Sequence, residues 1–102
     1  MPRPVRHPVW CDPRRCGVSA DQPYGTHSSR PVVLGPYPPG TLLAEVSVAQ
    51  GPPVTGYPFS GRPYLALALR DGDGELCLAP MSAELARALG RVLTGLAREV
   101  AR

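Results

Sequence analysis

Proline placement constrains this chain more than any other feature. Of its 14 prolines, 13 stand at or before Pro63, and only Pro80 follows. Proline has no backbone donor and holds φ near the helical value, so it is kept out of helix interiors and central strands. Much of the first 63 residues is therefore barred from regular helix or central strand. A length of 102 residues allows one small domain and excludes a multidomain enzyme. With one Trp, one Phe and four Tyr, the core has to rely on Leu, Val and Ala.

Three zones follow within one domain spanning 1–102. Residues 1–31 read as an irregular arm rich in Pro and Arg, 32–79 as strands and turns, and 82–101 as an amphipathic helix. Ser82 is a good N-cap after Pro80, and Glu84 favours the positive end of the helix. At 100° per residue, Leu85, Leu89, Val92, Leu93, Leu96 and Val100 fall in one arc of about 100°, with Arg87, Arg91, Arg98 and Arg102 opposite. Gly90 and Gly95 each cost roughly 1 kcal/mol relative to Ala, so this helix depends on burying its Leu stripe.

Tyr64 to Arg70 and Glu75 to Ala79 alternate at period two around Asp71-Gly72-Asp73-Gly74, a hairpin signal. The alternation places Leu65, Leu67, Leu69, Leu76 and Leu78 on one face, with Ala66, Ala68, Cys77 and Ala79 on the other. Leu42 to Ala49 alternates likewise, and Pro31-Val32-Val33-Leu34 is a short further strand. The expected fold is α+β: a small antiparallel sheet of three to four strands, one C-terminal helix packed on one face, and the N-terminal arm. The long stretch from Gln50 to Pro63 carries Tyr57 and Phe59, which are expected to pin it onto the sheet.

Charge is uneven as well. Residues 1–40 carry five Arg against Asp12 and Asp21, whereas six Arg and six acids balance over 41–102. With no Lys in the chain, the Arg count is no nucleic-acid signal by itself, and a net charge of +3 speaks first for solubility. No apolar run follows the basic start as a secretory signal requires, and none is long enough to span a bilayer. A cytoplasmic location is expected, where three cysteines stay reduced.

One constellation carries chemistry: His7-x3-Cys11-x4-Cys16-x10-His27. Zinc takes four N or S ligands in a tetrahedron, and two thiolates on a short loop closed by a distant His meet that demand. The physical motive is strong, because the 62 residues of 41–102 make a core that is marginal without a staple. Structural zinc contributes an apparent ~10–16 kcal/mol in small fingers. Unliganded thiols or a Cys11–Cys16 disulfide are the alternatives, and Cys77 competes with His7 as fourth ligand. With no adjacent Glu or Asp standing ready as a base, a bound zinc is expected to be structural. The alternation of Asp71, Asp73 and Glu75 lacks the later Glu of a calcium loop and reads as a turn.

The run Pro8-Val9-Trp10-Cys11-Asp12-Pro13-Arg14-Arg15-Cys16, followed by Thr26-His27-Ser28-Ser29-Arg30, resembles small uncharacterised proteins of high-GC actinobacteria. Those share a W-C-x4-C segment, a later His, short strands and an Ala/Leu-rich C-terminal helix. The resemblance implies that Cys11, Cys16 and His27 act together on a metal, and it brings no activity with it.

A non-enzymatic, zinc-stabilised interaction or regulatory module with a protein partner is therefore expected. Its alternative is a nucleic-acid-binding zinc protein using Arg3, Arg6, Arg14 and Arg15 beside Trp10, together with the helix Arg stripe. A thiol enzyme built on Cys11 or Cys16 with His27 is a third reading, weakened by the absence of any recognisable oxyanion loop. A homodimer is a further way of covering the sheet.

Overall fold

The computed structural model describes residues 6–54, 56 and 58–101. Arg3, Tyr57 and Arg102, named above, lie outside the described residues. Among the described residues five strands precede one α-helix: β1 (His27–Ser28), β2 (Val32–Leu34), β3 (Leu43–Gln50), β4 (Tyr64–Asp71), β5 (Gly74–Met81) and α1 (Ala83–Val100), with a short 3-10 turn at Pro58–Gly61. All pair antiparallel in a single sheet. β3, β4 and β5 form a meander, while β1 and β2 lie end to end along the outer edge of β3.

That edge explains the fifth strand. His27 and Ser28 pair with Gln50 and Ala49, and Val32 to Leu34 pair with Val46 to Ala44. Three residues, Ser29 to Pro31, thus stand opposite Ser47 and Val48. The extra residue is a bulge that accommodates Pro31, whose missing N–H would leave a gap in a regular ladder. Ser29 fills the break twice: its N–H donates to the Val48 carbonyl at 2.8 Å, and its Oγ accepts from the Val48 N–H at 2.8 Å.

Register corrects the expected face assignment. Leu65, Leu67 and Leu69 pair with Met81, Ala79 and Cys77, and directly opposed residues share a face. Cys77 and Ala79 therefore join the Leu face, while Leu78 and Pro80 lie with Ala68 and Ala66. The cause is a bulge: Leu69 pairs with Cys77 but Arg70 with Glu75, leaving Leu76 as an extra residue. One inserted residue inverts every later side chain. The turn itself is a hairpin as expected, with Gly74 at φ 127° and Asp71 Oδ1 accepting from Asp73 N at 2.8 Å.

The complete apolar face comprises Val32 and Leu34, then Ala44, Val46 and Val48, then the three leucines of β4, then Cys77, Ala79 and Met81. The opposite face is mixed and carries a diagonal Arg70–Glu45 ion pair at 3.4 Å.

α1 matches the expected boundaries. Ser82 Oγ caps it by accepting from Leu85 N at 3.1 Å. Its packing does not match: the helix is not laid on the sheet. It meets the sheet at its first turn, where Ala83, Val48, Pro63, Tyr64 and Leu65 line a small apolar groove of about 170 Å³. Beyond that turn it projects, giving a molecule 62 Å long and 28 Å by 24 Å across. No helix residue is buried, and Leu85, Leu89, Val92, Leu93, Leu96 and Val100 are 36–87% exposed. Among the described hydrophobic residues only Ala49, Ala68 and Met81 are buried. No helix in the described residues is long and apolar enough to cross a membrane.

The 50–63 connection is tied down from several sides. Phe59 stacks on Tyr64, ring centroids 4.9 Å apart, and Gln50 Nε2 donates to the Gly61 carbonyl at 2.7 Å. Gly61 has φ 83°, and a Cβ there would lie 2.7 Å from Pro53 Cα. Phe59 and Ser60 also hold positive φ, 61° and 48°, an uncommon conformation for residues with a side chain.

Candidate metal centre

Residues 6–26 reach the sheet through Cys11. Its backbone bridges Ser29 antiparallel, and Asp12 N donates to the Ser28 carbonyl at 2.9 Å. The segment before β1 is thus laid along the exposed side of β1. From there the chain turns tightly. The Asp12 carbonyl accepts from Arg15 N at 2.9 Å and Cys16 N at 3.0 Å, and Asp12 Oδ1 accepts from Arg14 N at 3.0 Å. This Asx-type turn brings Cys16 back beside Cys11.

Residues 17–26 form a narrow loop that returns the chain to His27. Gly17 N donates to the Thr26 carbonyl at 2.9 Å, and Ser19 and Gln22 exchange backbone bonds at 3.1 and 3.2 Å. The two arms approach so closely that a Cβ on Gly25 would collide with the Gly17 carbonyl. His27, fixed in β1, then faces the two thiols.

His7, Cys11, Cys16 and His27 offer one ligand atom each, all within 4.8 Å of one another. The Cys16 Sγ lies 3.5 Å from His7 Nδ1 and 3.4 Å from His27 Nδ1; the Cys11 Sγ lies 3.6 and 3.7 Å from the same atoms. A tetrahedral zinc with Zn–S of about 2.3 Å and Zn–N of about 2.0–2.1 Å requires S···N edges of roughly 3.6 Å. The four observed edges, 3.4 to 3.7 Å, bracket that value. Two thiols carry two protons, so S–H···N bonding accounts for two of the four contacts, whereas a central cation accounts for all four. The His rings meet edge to face, centroids 5.1 Å apart, as two imidazoles converging on one point do.

Electrostatics within the cluster favour neutral groups while no cation is present. Burial, then the neighbouring Cys16 thiol, pushes the Cys11 thiol above its ordinary pKa. Burial, then the charge of His7, lowers His27. A divalent ion reverses the first effect by stabilising thiolate, and the second already leaves imidazole free to ligate. The Val18 N–H points at the Cys16 sulfur at 3.3 Å, a donor suited to thiolate charge.

The four residues singled out from spacing are thus brought together, and Cys77 is not among them. It is exposed on β5, the edge strand opposite β1. The three cysteines are free, so the disulfide alternative is not formed. Trp10 is half-buried and lines an open cleft of about 770 Å³ with Asp12, Arg14, Arg15 and Arg30. Arg30, which is distant in sequence from Arg14 and Arg15 and is not in the basic group read from sequence, lines the same cleft. A second cleft of about 500 Å³ lies between His7, His27 and the 50–61 connection. Compared with protein-family models, curated proteins and solved structures, the chain matches none of them.

Proposed function

We propose that this protein is a zinc-stabilised, non-enzymatic interaction or regulatory module, with a structural ion held by Cys11, Cys16, His27 and His7. The observation that carries the reading is the set of four S···N edges between 3.4 and 3.7 Å. Four protein ligands complete a zinc tetrahedron and leave no position for a substrate or a reactive water, which is the pattern of structural sites. The carboxylate of Asp12, next to Cys11 in the chain, is engaged by the Arg14 N–H in the turn. The ion would pin the Pro-rich segment onto the sheet edge and present it with the 50–63 connection as a contact surface for another protein.

Elemental mass spectrometry of the untagged protein tests the assignment. About one zinc per chain is expected. A content near zero, with all three thiols titrating freely, overturns it.

One observation favours a second reading, binding of nucleic acid. Trp10, Arg14, Arg15 and Arg30 line a single cleft, combining a stacking surface with phosphate-binding groups. Fluorescence anisotropy with a labelled single strand decides it. Affinity that falls steeply with salt supports this reading, and no binding at low salt removes it.

A further inference from the structure

The described chain leaves two apolar surfaces incompletely covered. One is the part of the sheet face beyond the reach of α1's first turn, where half-buried Val46, Leu67 and Leu69 are flanked by the exposed Val32 and Leu34. The other is the Leu85–Val100 stripe of α1, exposed along its whole length. The chain cannot satisfy one with the other in the observed arrangement, because α1 leaves the sheet after its first turn.

The excess surface is of the size that a second copy of the chain would cover. A compact monomer of 10.8 kDa exposes about 5,500 Å². This chain exposes 7998 Å², roughly 2,500 Å² more. Its radius of gyration is 16.4 Å, against about 13 Å for a compact domain of this length. Obligate dimers bury about 2,000–5,000 Å² in total, so the excess on two chains matches what such an interface removes.

We propose that the protein is an obligate homodimer in which α1 of each chain lies across the apolar sheet face of the other. Dimensions agree: 18 helical residues span about 27 Å, and eight-residue strands span about 26 Å. The exchange is reciprocal, so a two-fold axis closes it and both surfaces are covered with no further component. Pairing of helix with helix alone would leave both sheet faces bare. Arg87, Arg91 and Arg98 lie opposite the Leu stripe and would stay in water.

The proposal does not depend on the metal. Its test is the mass of the metal-replete full chain by sedimentation equilibrium at micromolar concentration, where twice 10.8 kDa is expected. Leu93→Glu on the helix and Leu67→Glu on the sheet are each expected to weaken the dimer at least ~100-fold, an effect matching one buried charge per contact. An equimolar mixture of the two variants is expected to recover a heterodimer, because the intact helix of one chain fits the intact sheet of the other. A monomeric wild type overturns the proposal, whatever else binds these surfaces. So does a dimer that survives Leu93→Glu, or one that survives Leu67→Glu, the outcome expected of helix-to-helix pairing. Should circular dichroism show Leu67→Glu unfolded, the wild-type mass and Leu93→Glu still decide.

Discussion

At the scale of single residues, the cluster is assembled because glycine and aspartate shape the backbone that carries it. Gly25 passes so close to the Gly17 carbonyl that no side chain fits. Gly25→Ala is therefore expected to force the 17–26 loop apart, move His27 relative to Cys16, and lower zinc affinity at least ~10-fold, read by competition with a chromophoric chelator. Unchanged affinity would show that the loop does not position the site. The ligands also make a protonic prediction. Zinc binds thiolate, and burial holds the Cys11 thiol in its protonated form before binding. Zinc uptake near neutral pH should therefore release protons, and affinity should fall as pH falls. Titration calorimetry in buffers of differing ionisation enthalpy measures the release; none detected would exclude thiolate ligation. Cys11, Cys16 and His27 were legible in the sequence as a candidate cluster because metal geometry limits residue type and allows short loops. The choice of His7 over Cys77 was not, since it depends on β1 and β5 lying at opposite edges of the sheet.

At the scale of elements, α1 shows how a pattern can be read correctly and its neighbour missed. The stripe, the Ser82 cap and the helix ends follow from local chemistry, and all appear where the periodicity puts them. What the stripe packs against is a tertiary matter, and the described chain leaves it bare. The sheet teaches the same lesson through Leu76, where one bulged residue moves Cys77 onto the Leu face, a slip that period-two alternation cannot reveal. An exposed helix leans heavily on its caps. Ser82→Ala removes the Oγ that accepts from Leu85 N and should cost about 1 kcal/mol of stability, measured by denaturant unfolding. No change would mean that the first turn is held by its contact with Val48 and Leu65 instead. The exposed place of Cys77 on β5 also separates it from the other thiols. Zinc-loaded protein should expose one fast-reacting thiol to maleimide, and chelator-treated protein all three.

At the scale of the whole molecule, two forms of incompleteness converge. The small core buries no large side chain fully, and the segment before β1 is held by few backbone bonds apart from the cluster. Stability must then come largely from what the folded chain binds, and mass action gives each binder a distinct signature. A ligand that binds only the folded form adds RT ln(1 + [L]/Kd), so each tenfold rise in free zinc above Kd adds about 1.4 kcal/mol. For a domain of this size that moves Tm by roughly 4–8 °C per kcal/mol. A second copy of the chain acts by the same law through protein concentration. Two thermal titrations therefore separate the contributions. With protein concentration fixed, Tm should climb with buffered free zinc; with zinc fixed, it should climb with protein concentration. A Tm indifferent to zinc would mean that the cluster decorates a fold already stable without it. A Tm indifferent to protein concentration would mean that the helix and the sheet face find their cover within one chain.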